Sequence, residues 1–189
     1  MRKYLLPQLV RRLDAGFARS TTVHPDTARA LYNICYASNV RNVFETGTYW
    51  GFSTTYLAAA LQRKGAGTVY SFDIYDKAGK HIPESLMPHV ELHRSKPSIE
   101  TMPNVLSRVT PDLFFQDSRH DYEGVVQELE IVAPHLRPGA IVLFHDFVEP
   151  QVRQAASDVL KGYDICILDN SDPQQLGVAV NLELATIGE

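Results

Sequence analysis

The stretch FETGTYWGFSTTYL, residues 44–57, decides the fold. A short run that begins at Asn42 ends in the carboxylate of Glu45; Gly47 and Gly51 follow, and helix-compatible residues begin at Ser53 or Thr54. A glycine-bearing turn between a strand and a helix cradles a ligand in open α/β sheets. It is not a dinucleotide fingerprint, because Tyr49 stands where the middle glycine of G-x-G-x-x-G belongs and Phe52 stands where the third belongs. No G-x-x-x-x-G-K-[ST] pattern is present either, which excludes a P-loop.

Outward from this turn, strands and helices alternate. NVFE (42–45), GTVYSFD (67–73), HVELHRS (89–95), PDLFFQD (111–117), AIVLFHD (140–146), DICILD (164–169) and LGVAVNL (176–182) read as strands. Residues 53–63, 98–108, 121–136 and 150–161 read as helices, the third with Val125, Leu129, Val132 and Leu136 on one face. Apolar strands between helices imply a parallel sheet covered on both sides. The last two strands are joined by a short polar turn, so they form a hairpin and the last runs antiparallel. The expectation is an α/β, Rossmann-like doubly wound sheet of seven strands, six parallel and the last antiparallel. Residues 39–189 form that domain, behind an N-terminal helical cap over 1–38. Leu5, Leu6, Leu9, Val10 and Leu13 share one face of a first cap helix, and Pro25 suits the first turn of a second.

With 189 residues, 44% hydrophobic and 21% charged, the chain fits one soluble globular domain. A net charge of −4 argues against a broad nucleic-acid footprint. The basic opening MRKYLLPQLVRR carries an apolar stretch broken by Pro7 and Gln8, too short for a secretory core or a membrane span. A cytoplasmic protein with no membrane partner is expected. Cys35 and Cys166 lack CxxC or metal spacing and are expected to be buried free thiols.

In such a sheet, ligands bind beyond the carboxyl ends of the strands. Those ends are Glu45, Asp73, Arg94-Ser95, Asp117 and His145-Asp146, so most carry an acid. Singly, each acid can be a solvated loop residue or a helix cap; together on one edge they suggest a ligand. Glu45, at the lip of the first turn, repels a pyrophosphate and suits a cationic ligand. S-adenosylmethionine (SAM), with its sulfonium, amino group and single carboxylate, is such a ligand, and a helix N-terminus can take the carboxylate. Asp73 ends the second strand, where an acid accepts the ribose hydroxyls of an adenosine.

FETGTYWGFSTTYLA, VYSFD, PDLFFQDSRHDYEGVVQELEIVAPHLRPGAIVLFHD and the terminal hairpin together resemble a class I SAM-dependent methyltransferase. The similarity is to the small O-methyltransferase-like branch (catechol and sugar enzymes), over residues 39–182. The resemblance implies that Glu45, Gly47, Thr48, Tyr49, Gly51 and Ser53 line the methionine end of SAM. It implies that Asp73 holds the ribose, that Ser95 and Lys96 lie near the adenine, and that Asp117 borders the cofactor.

Asp117 and His145-Asp146 end strands expected to be neighbours, about 5 Å apart. Two carboxylates that close need a cation or a shared proton between them. Mg²⁺ or another hard divalent ion would suit them. In the metal-dependent enzymes this branch includes, such acids hold the metal that orients and acidifies the substrate hydroxyl. Asp117 and Asp146 are the expected ligands, with His145 as a third. His120, three residues after Asp117, is the expected base, although it can instead cap the helix that begins near Asp121. The branch pattern D-G-x-H reads Asp117-Ser118-Arg119-His120 here, Phe147 follows the acid of the fifth strand, and Gln116 replaces an apolar residue. These departures leave open the third metal ligand, a metal-free enzyme using His120 alone, and a SAM-binding protein without activity.

The expected chemistry is in-line methyl transfer to a hydroxyl of a small molecule or sugar. The cap aromatics Tyr4, Phe17, Tyr32 and Tyr36 are candidate substrate contacts or core residues. A homodimer stays open. The rival from another class is an NAD(P)-dependent oxidoreductase, disfavoured by Tyr49, Glu45 and the reversed last strand.

Overall fold

The structure, a computed structural model, describes residues 23–169 and 173–181. The first expected helix and the cap aromatics Tyr4 and Phe17 lie outside these residues. Seven strands form one sheet in the order β3-β2-β1-β4-β5-β7-β6. They are β1 (Asn42–Thr46), β2 (Thr68–Phe72), β3 (Val90–His93), β4 (Leu113–Gln116), β5 (Ile141–Phe144), β6 (Asp164–Asp169) and β7 (Leu176–Val180). β1 to β5 pair in parallel, while β7 lies antiparallel between β5 and β6. The expected seven-stranded sheet with a reversed last strand is therefore present. The described helices are α1 (Pro25–Ala37), α2 (Phe52–Lys64), α3 (Ser98–Leu106), α4 (Tyr122–Val132) and α5 (Pro150–Val159).

Alternation along the strands divides the core between the two faces of the sheet. Val43, Phe115 and Leu143 pack on one side with Leu31 of α1 and Tyr56, Leu57 and Leu61 of α2. Phe44, Phe114, Val142 and Phe144 pack on the other with Met102, Val125, Leu129 and Val152 from α3, α4 and α5. The described part of the cap segment, α1, thus shares a core with α2 and the sheet. Tyr32 is buried in that core and Tyr36 stacks on it at 5.9 Å, half exposed, so neither reaches the cavity described below. α4 starts at Asp121, whose side chain accepts the Gly124 N–H at 2.9 Å. Its helix is shorter than the apolar pattern implied and gives way to a 3₁₀ turn over Ala133–His135, where Pro134 removes a backbone donor.

Cys35 is buried, and burial pushes its thiol up to about 11. Cys166 corrects the sequence expectation: it is exposed, because β6 is the last strand of the sheet and only β7 covers it. Among the described residues no helix is long and apolar enough to cross a membrane.

Candidate active site

The sheet order reverses between β1 and β4, and the crevice at that switch point is where an open α/β sheet binds its ligand. A cavity of about 690 Å³ opens there, within the usual range for small-molecule sites. Its walls come from the turn after β1 (Gly47, Thr48, Tyr49, Trp50), the turn after β2 (Asp73, Ile74, Tyr75), the start of α3 (Pro97, Ser98, Ile99) and the ends of β4 and β5.

Gly47 is required by contact as well as conformation. Its φ is +91°, and a Cβ there would lie 2.0 Å from the Asp117 carbonyl oxygen. The first turn therefore lies directly against the end of β4 and holds Asp117 in the cavity wall. Tyr49 also has a left-handed φ of 45°, which strains a side chain other than glycine. It is held there by its N–H, which donates to Asp73 Oδ2 at 2.6 Å, while Asp73 Oδ1 accepts the Tyr75 N–H at 2.9 Å. Asp73 thus clamps two loops together and still faces the cavity. Thr48 and Ser53 also line it, at the entry to α2.

Four expected cofactor contacts are corrected. Glu45 does not stand at the lip. It is fully buried beneath the turn and does not line the cavity, because its Oε2 accepts the hydroxyls of Thr54 at 2.5 Å and Ser71 at 2.7 Å. Its Oε1 has no hydrogen-bond partner. Burial pushes the carboxyl up to about 7, against the pull of the Ser53, Thr54 and Ser71 hydroxyls. The acids that line the cavity are instead Asp73, Asp117, Glu128 and Asp146. Gly51 caps α2 in a left-handed conformation against Ile82, off the cavity wall. Ser95 is exposed and turned by a φ of 69°, so with Lys96 it lies outside the lining; residues 97–99 take that place.

The second constellation does assemble. Ligand atoms of Asp117, His120, His145 and Asp146 all lie within 4.8 Å of one another. His145 Nδ1 is 2.8 Å from Asp117 Oδ1 and 3.0 Å from Asp146 Oδ2. His120 Nε2 is 3.0 Å from Asp146 Oδ2 and 3.8 Å from Asp117 Oδ1. Asp117 and Asp146 raise the His120 imidazole to about 9. Burial works against a charge on His145, but the same two carboxylates outweigh it and hold that imidazole up at about 10. Burial likewise opposes the charge of Asp146, yet the two imidazoles hold it well below the usual carboxylate range. The two carboxylates thus favour positive charge on both imidazoles, and a divalent cation would bring positive charge to the same place. The residues present fit such an ion: two carboxylates and two imidazoles converge.

Two contributors to the site were not anticipated. Gln174, in the β6–β7 hairpin, donates from Nε2 to Asp146 Oδ1 at 2.8 Å and fixes a residue whose φ is 48°. Glu128, buried on α4, accepts from Thr46 Oγ1 at 3.0 Å, Ser98 Oγ at 2.5 Å and Ser118 Oγ at 2.7 Å. It ties β1, α3 and the end of β4 around the cavity. One local signal pointed to it: Glu128 is an acid on the apolar stripe formed by Val125, Leu129 and Val132.

The fold is similar to that of the cofactor-bound protein Rv0187 from MTB, at 20% identity and TM-score 0.69 over 92% of this chain and 88% of that one. It is similar to the O-methyltransferase TomG from Streptomyces achromogenes in complex with SAM, at 17% identity and TM-score 0.68 over 93% and 86% of the two chains. It is also similar to an O-methyltransferase from Bacillus cereus in complex with SAH, at 15% identity and TM-score 0.69 over 95% and 93%. No curated protein matches the chain in sequence. Residues 44–147, which run from the first turn to the end of the acid–histidine cluster, match a family model described as "Methyltransferase domain", and the chain belongs to that family.

Proposed function

We propose that the protein transfers the methyl group of SAM to a hydroxyl of a small molecule, with a divalent cation at the acid–histidine cluster. The observation that carries this reading is that one cavity joins two sites. Gly47, Tyr49 and Asp73 line it together with Asp117, His120, His145 and Asp146. The SAM- and SAH-bound O-methyltransferases of like fold support the choice of cofactor and acceptor atom. The NAD(P) alternative falls with the family.

Asp73 would accept the ribose hydroxyls on oxygens that already anchor two loops. Backbone N–H groups of the Gly47–Ser53 turn and the start of α2 would meet the methionine carboxylate. Ile74 and residues 97–99 would flank the adenine, and Asp117 would border the sulfonium side. Asp117, Asp146 and His145 would hold the cation. When bound, it acidifies and orients the acceptor hydroxyl. His120 would then take the proton at Nε2. In the cation-free cluster it is an acid, because the carboxylates keep it protonated. His120, the most exposed of the four groups, would be the one placed to take the acceptor's proton. The chain's remaining contribution is positioning and removal of water.

A screen of hydroxyl-bearing acceptors with labelled SAM tests the reading. His120→Asn should bind SAM normally and lose roughly 10²-fold or more in rate. An unchanged rate would remove His120 as the base. Failure of the wild-type protein to bind SAM would remove the whole reading.

A further inference from the structure

Asp117 Oδ1 and Asp146 Oδ2 both face His145 Nδ1, at 2.8 and 3.0 Å. Any cation that bridges these carboxylates therefore meets an imidazole nitrogen. The His145 side chain is 5% exposed, against 10% for Asp146, 14% for Asp117 and 39% for His120, so it is the most buried of the four. Gln174 occupies Asp146 Oδ1 and leaves Oδ2 for the ion. Mg²⁺ favours oxygen ligands, keeps its waters and demands near-ideal octahedral geometry. Imidazole suits the borderline first-row ions instead.

We infer that this site selects a borderline dication of the Fe²⁺-to-Zn²⁺ group over Mg²⁺, and that His145 makes the selection. The inference departs from the hard ion expected from the sequence. It rests on the methyl-transfer reading for the purpose of the metal but not for its binding. His120, on the exposed side of the cluster, stays available to the acceptor.

The test uses the full chain stripped with a chelator, titrated with Co²⁺ by visible absorption and then with Mg²⁺ as competitor. The expected result is one Co²⁺ per chain, with bands of nitrogen coordination, and less than half displaced by a hundredfold excess of Mg²⁺. His145→Asn places an amide oxygen where Nδ1 stands, which leaves only oxygen donors at the buried end of the cluster. It should lower the preference for Co²⁺ over Mg²⁺ at least tenfold, while His120→Asn should change it less than threefold. The inference is overturned if equal Mg²⁺ displaces Co²⁺, if no saturable Co²⁺ binding occurs, if His145→Asn keeps the wild-type preference, or if His120→Asn lowers it as much. Should His145→Asn fail to fold, the wild-type competition decides alone. SAM calorimetry on the same samples separates the two claims. SAM binding without metal selectivity sinks only this inference, and selective Co²⁺ binding without SAM binding sinks only the methyl-transfer reading.

Discussion

Replacing Glu45 with glutamine should flatten the pH dependence of stability in the weakly acidic range. The folded protein holds the Glu45 proton until about pH 7, against an ordinary value of 4.5. Between those limits the native state binds more protons than the unfolded chain, so stability falls as pH rises through the window and stays lower above it. At about 1.36 kcal/mol per pKa unit, the shift corresponds to roughly 3 kcal/mol for this fully buried carboxyl. Other shifted groups act elsewhere. The depressed Asp146 contributes stability that is lost only as pH falls below the ordinary carboxylate range, and the raised histidines act above about 6.5. Glutamine keeps an oxygen for the Thr54 and Ser71 hydroxyls, and its amide would take the place of the unpartnered Oε1. That amide can cost about 1–3 kcal/mol, but the cost is the same at every pH. The slope is therefore the readout. Urea unfolding from pH 4.5 to 7.5 should show the wild type losing on the order of 3 kcal/mol relative to the variant. Parallel stability curves for the two proteins would refute the buried, proton-holding carboxyl.

Gly47→Ala should abolish SAM binding in calorimetry and destabilise the fold by about 1–3 kcal/mol in denaturant melts, since its Cβ would lie 2.0 Å from the Asp117 carbonyl oxygen. Asp73→Asn should weaken SAM roughly 10- to 100-fold by removing a charge-assisted acceptor, read by the same titration. Without divalent metal, the stabilisation from protonated His120 and His145 is complete below about pH 6.5 and is lost as pH rises through about 9 and 10, so Tm should fall across that range. A saturating cation should remove the decline, because metal ligation requires the deprotonated imidazole. Glu128→Ala leaves the buried hydroxyl of Thr46 without an acceptor and should destabilise the fold by about 1–3 kcal/mol in denaturant melts.

The sheet and its reversed last strand were legible because strand periodicity, the glycine turn and the short hairpin are local signals. The acid–histidine cluster was legible because parallel neighbours place their ends side by side, which needs only the strand order. Glu45 was not: whether its carboxylate faces the cavity or the core is decided by Ser71, 26 residues away, and by Thr54 on α2. Gln174 reaches Asp146 across 28 residues through a hairpin whose geometry no motif encodes. The adenine side shifted from residues 95 and 96 to 97–99 because Ser95 turns the chain in a left-handed conformation just before α3. Cys166 sits in an apolar run that reads as buried, and only the sheet order shows that its strand is an edge.

The account depends above all on the crevice between β1 and β4 taking SAM. Calorimetric titration of the full chain with SAM, beside a parallel titration with NAD⁺, tests this most directly. The account predicts one saturable SAM site per chain and no heat of binding from NAD⁺. No SAM binding at millimolar concentration, or NAD⁺ binding in its place, would contradict it.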